Sequence, residues 1–78
     1  MTEMYSFKSL NTDMELFAAA LLQRKVSVWT KTADDIYALL DDGGIIEKIT
    51  PDCVVIRFSD ARDSKEYYLR EECDFRIE

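Results

Sequence analysis

The sequence predicts an α+β domain: two helices in the N-terminal half, packed on one face of an antiparallel β-meander of three to five strands. Three observations predict it. Apolar residues recur at helical spacing from Met14 to Leu22 and again from Ala33 to Leu40. From Ile45 onward the spacing changes to alternation. The chain has 78 residues, which is one domain's worth and not two, so 1–78 is read as a single unit.

Residues 1–11 alternate weakly at Tyr5, Phe7 and Leu10, which suits a short edge strand or an arm across the core. Thr12-Asp13-Met14-Glu15 is a capping box: the Thr12 hydroxyl accepts from the first turn and Glu15 reaches back to the Thr12 amide. Wound at 100° per residue, Met14, Phe17, Ala18, Leu21 and Leu22 share one arc of about 140°, the expected core stripe. Leu16, Ala19, Ala20 and Gln23 fall opposite and would let another helix approach closely; they are the candidate homodimer interface. Val26 to Thr30 is β-branched and alternating, so it is read as a strand. Thr32-Ala33-Asp34-Asp35 offers a second capping start, and Gly43-Gly44 a stop, for a helix over about Ala33–Asp41. After it, Ile45–Ile49 and Cys53–Phe58 flank a Thr50-Pro51-Asp52 turn with proline where its fixed φ is useful. Lys65–Arg70 and Cys73–Ile77 complete the meander, with Asp74 and Arg76 opposite Cys73, Phe75 and Ile77.

Composition narrows function more than it identifies one. Ten Lys+Arg against 16 Asp+Glu give a formal charge of −6, unsuited to general phosphate-backbone binding. With no histidine and two cysteines, imidazole chemistry is excluded and a zinc site would need carboxylates to complete it. No metal or other cofactor is expected, nor catalysis: Glu71-Glu72 and Asp60/Asp63 lie in charge-rich turns, not in a cleft that would separate their environments. The longest apolar run, Leu16–Leu22, is too short for a membrane span, and the N-terminus lacks a signal-peptide pattern. The expectation is a cytoplasmic protein with reduced cysteines, Cys73 serving as a small buried hydrophobe.

The sharpest functional feature is the acidic face of the expected second helix. Asp34 and Asp41 lie about 20° apart on a helical wheel, as do Asp35 and Asp42. The reading is a non-enzymatic protein–protein interaction module that docks a partner with a basic surface, with Trp29 and Tyr37 as aromatic anchors. The plain alternative is a solvated helix face. A second alternative is an inhibitor that mimics nucleic acid, with Glu71, Glu72 and Asp74 extending the cluster. A third follows from Gly44 to Phe58, where alternation plus a turn resembles the opening hairpin of small SH3-like barrels. That resemblance implies a nucleic-acid-binding module using Arg57, Arg70 and Arg76 with Tyr67 or Tyr68. Seven acids against five bases over residues 57–78 weigh against it, and cross-strand ion pairs are the plainer role for those arginines.

Overall fold

The computed structural model describes residues 8–34, 36–59 and 63–77; the candidate positions Tyr5, Phe7 and Asp60 lie outside them. Within them the chain forms β1 (Lys8–Ser9), α1 (Asp13–Leu21), β2 (Lys25–Lys31), β3 (Tyr37–Ile49), β4 (Cys53–Phe58), β5 (Ser64–Leu69) and β6 (Cys73–Ile77). The class is α+β with one short helix and an antiparallel sheet. The sheet order is β1-β6-β2-β3-β4-β5, five full strands with the two-residue β1 added at one edge. The last strand therefore returns between β1 and β2 and pairs with the first described strand. Among the described residues no helix is long and apolar enough to cross a membrane.

At the start of α1 both halves of the predicted capping box are present: the Glu15 amide donates to Thr12 Oγ1 at 3.2 Å, and the Thr12 amide to Glu15 Oε1 at 3.1 Å. The helix ends with Gln23 in the left-handed region at φ +53°. There the Gln23 amide donates to the Ala20 carbonyl and the Arg24 amide to that of Ala19, the pair of bonds a Schellman turn makes.

The orientation of α1 is the reverse of the expectation. Leu16 is 2% exposed and Ala19 is buried beside it, with Ala20 packed against the same core. Met14 is 77% exposed, Phe17 51%, Leu21 83% and Leu22 69%. The physical reason lies in size. Alanines let the helix backbone approach the sheet closely, and Leu16 with Leu10 fills the remaining space. Leu16, Ala19 and Ala20 are thus core residues, and of the four candidate dimer positions only Gln23 is exposed.

The second predicted helix does not form; Tyr37–Ile49 is a 13-residue strand. Thr32 does bond locally, but it closes a hairpin: its amide donates to the Ile36 carbonyl at 2.8 Å and its hydroxyl accepts from the Ile36 amide. The first part of β3 pairs with β2 and the last part with β4. Three extra residues interrupt that pairing, all on β3: Leu40 opposite Val28/Trp29, Gly43 opposite Val26/Ser27, and Glu47 opposite Val55/Ile56. Each is a bulge that bends the strand, and Gly43 supplies the left-handed φ of +82° one of them needs.

The bend wraps the sheet around a core of Val26, Val28, Ile46, Val54, Ile56, Phe58 and Phe75, with Leu10 and Leu16 added from outside the long strands. Gly44 faces into it. A Cβ at this position would lie 2.3 Å from Ile56 Cγ2 and 2.7 Å from Phe58 Cε1, so only hydrogen fits. The Thr50–Asp52 turn forms as expected, with Thr50 Oγ1 accepting from the Cys53 amide at 2.9 Å.

Candidate interaction surfaces

Alternation along β2 sends Val26 and Val28 inward, and Ser27, Trp29 and Lys31 outward. Register then decides their neighbours. Trp29 lies opposite Leu39 on β3 and Asp74 on β6; Lys31 lies opposite Tyr37; Ser27 lies between Asp42 and Arg76. The two aromatic candidates, Trp29 and Tyr37, are brought to one patch of the outer sheet face.

Arg76 joins them. Its guanidinium carbon is 4.6 Å from the centre of the Trp29 ring and 5.0 Å from that of Tyr37. Nε donates to Asp74 Oδ2 at 2.7 Å, fixing the guanidinium from a third side. The Trp29 indole N–H donates to Ser27 Oγ at 2.8 Å, and Ser27 Oγ donates to the Arg76 carbonyl at 3.3 Å. Every polar atom named here is engaged, which holds the rings in place. Beside the patch lies an open cleft of about 240 Å³ lined by Lys25, Ser27, Trp29, Leu39, Asp42 and Arg76. Leu39 is exposed at its wall, and Ile36, Tyr37 and Leu40 are exposed along the same stretch of chain.

The predicted acidic face is not assembled. Asp34 is exposed in the turn after β2, and Asp35 lies outside the described residues. Asp41 and Asp42 are consecutive in β3 and point to opposite sides of the sheet. Asp41 pairs in register with the fully buried Val28 and accepts from the Tyr68 hydroxyl at 3.3 Å; Asp42 is exposed beside the cleft. A helix would have put the four on one arc; a bulged strand separates them.

Among the described residues of the C-terminal half, Arg57, Arg70 and Arg76 are each held by a carboxylate of the same chain. Arg57 Nε donates to Glu47 Oε1 at 2.9 Å, and Lys65 meets the other oxygen of Glu47 at 3.0 Å. Hydrogen bonds from Lys65 and then Arg57 hold the Glu47 carboxyl below its ordinary value. Arg70 pairs with Asp13 and donates to the Thr50 carbonyl at 2.8 Å, tying the β3–β4 turn to the start of α1. Among the described residues, no three Cys, Asp or Glu side chains converge as metal ligands would. Both cysteines are free thiols. Burial, and secondarily Glu72, push the Cys73 thiol up, away from the reactive thiolate.

A second surface is the outer face of α1. Met14, Phe17 and Leu21 recur at helical spacing with Ala18 between them, and all four are exposed. Sequence reasoning missed the stacking of Arg76, although its outward alternation with Asp74 is legible; which strand lies beside β6 is not. It also missed this stripe, because hydrophobicity alone does not say which side of a helix wins the core.

Comparison with protein-family models, with curated proteins and with solved structures returned no match.

Proposed function

We propose that this protein is a non-enzymatic interaction module that docks a protein partner on the outer sheet face around Trp29, Tyr37, Leu39 and Arg76. The observation that carries the reading is the Arg76 guanidinium held between the Trp29 and Tyr37 rings beside an open cleft. Aromatic and arginine side chains dominate binding energy when they are rigid and half-buried, because little rotamer freedom is left to lose. The cleft takes one apolar side chain of the partner, with Trp29 and Leu39 as walls.

Charge supports a partner with a basic surface. The chain carries −6, so its field steers cations toward it, and Asp42 lines the cleft beside the patch. Steering acts on the association rate; the apolar contacts hold the complex. Mimicry of nucleic acid would need carboxylates along one continuous surface, and Asp41 and Asp42 on opposite faces of β3 work against that. A nucleic-acid platform would need cations to spare, and Arg57, Arg70 and Arg76 each serve a carboxylate within the chain.

The test is selection of displayed peptides against the immobilised protein, with Trp29→Ala and Leu39→Lys variants in counter-selection. The reading expects peptides with an apolar anchor flanked by Lys or Arg, whose association slows as salt rises and whose affinity falls at least tenfold on both variants. Peptides that bind the two variants as tightly as the unaltered protein refute it, and so does the absence of any enriched sequence.

A further inference from the structure

The outer face of α1 is apolar where a free surface helix is polar. Three large side chains, Met14, Phe17 and Leu21, stand in one stripe at 77%, 51% and 83% exposure, with Leu22 at its margin. They contribute nothing to the core, which Leu16 and Ala19 already serve from the other side. We infer that this stripe is the interface of a two-fold homodimer in which the α1 helices of two copies pack antiparallel.

The occupant follows from charge and symmetry. From Met14 to Gln23 the only ionisable side chain is Glu15, and it is bonded back to Thr12 in the capping box. A basic partner finds nothing to pair with there. A second copy, carrying −6 itself, meets less repulsion on this face than on one lined with carboxylates. The stripe is also self-complementary. A two-fold axis between Phe17 and Ala18 sets each Phe17 ring against the Ala18 methyl of the other copy, and each Met14 against Leu21. Large thus meets small at the centre, and two flexible chains meet at the ends. The same arrangement opposes the two helix dipoles.

A single pair of nine-residue helices is smaller than a standard interface, so the dimer is weak, with a dissociation constant on the order of tens of micromolar. Sedimentation equilibrium over the micromolar to millimolar range tests it. The unaltered protein is expected to shift from monomer to dimer, while Met14→Lys and Leu21→Glu are each monomeric throughout with unchanged circular dichroism, because both positions are exposed. Mixed in equal amounts, the two variants are expected to pair, since the introduced lysine of one copy then faces the introduced glutamate of the other. A protein that stays monomeric at millimolar concentration overturns the proposal. So does a Leu21→Glu variant that still dimerises, or a mixture of the two variants that does not. Peptide binding at Trp29 is expected to survive both substitutions, which separates failure of the dimer from failure of the docking surface.

Discussion

Strand β3 and the meander that follows it differ in one respect. β4, β5 and β6 carry no inserted residue, and in the β4–β5 and β2–β6 pairings each residue lies opposite one partner. β3 carries three extra residues, at Leu40, Gly43 and Glu47. The regular strands form a surface; the irregular one shapes it. Bulges let β3 change partners from β2 to β4 while bending around Gly44, and they set Tyr37 and Leu39 beside Trp29. The functional candidates therefore depend on the least regular element of the sheet.

Substitutions that fill or relax this strand probe that dependence. Gly44→Ala is expected to have the largest effect: its methyl would overlap Ile56 and Phe58, both almost fully buried. Overpacking of that kind costs about 3 kcal/mol, most of what so small a domain has. Urea denaturation should show a midpoint lowered to a small fraction of that of the unaltered protein; a midpoint near the unaltered value would mean the strand does not bend here. Gly43→Ala meets no atom within 4 Å and suffers only from its positive φ, a loss of about 1 kcal/mol. Equal losses at the two glycines would erase the distinction between close approach and backbone conformation.

That strand is also where the sequence misleads. Apolar residues in a regular strand repeat every second position, and an inserted residue shifts the phase. With Leu40 and Gly43 inserted, Ile36, Tyr37 and Leu40 fall at spacings that match a helix, and Asp42-Gly43-Gly44 imitates a helix stop. β4, β5 and β6 have no insertion, so Val54, Ile56 and Phe58, or Phe75 and Ile77, announce their face directly. The capping box at Thr12 was legible because it is local chemistry. The face of α1 was not, because it depends on how closely the sheet lets the helix approach. Trp29 and Tyr37 were legible as aromatics on separate elements, but their meeting over Arg76 depends on cross-strand register.

Outside the glycines of β3 the expected effects are smaller. Gln23 holds a left-handed conformation that glycine adopts without a Cβ penalty. Gln23→Gly should therefore stabilise the fold by about 0.5–1 kcal/mol, raising the urea midpoint with no change of slope; a lowered midpoint would show that its side chain matters more than its φ. Smallest is Glu47→Gln. The Glu47 carboxyl is held low by Lys65 and Arg57, so its contribution is present at neutral pH, above the unfolded value. It is lost as acid carries the pH down through the folded value. Solvent screens so exposed a group, and the change at neutral pH should be near the limit of detection. The variant should differ from the unaltered protein only by a flatter fall in melting temperature at acid pH. A large loss at neutral pH would mean the ion pairs set the β3–β4–β5 register.

Helix α1 turns Leu16, Ala19 and Ala20 toward the core and Met14, Phe17 and Leu21 outward, where the proposed second copy would cover them. Methyl NMR with a soluble paramagnetic relaxation agent, at low and high protein concentration, tests both halves of that statement. At low concentration the Met14, Leu21 and Leu22 methyls should relax strongly and those of Leu16 not at all; at high concentration Met14 and Leu21 should become protected while Leu16 is unchanged. Leu16 methyls relaxed as strongly as those of Leu21 would contradict the orientation of the helix, and Met14 and Leu21 exposed alike at both concentrations would contradict the dimer.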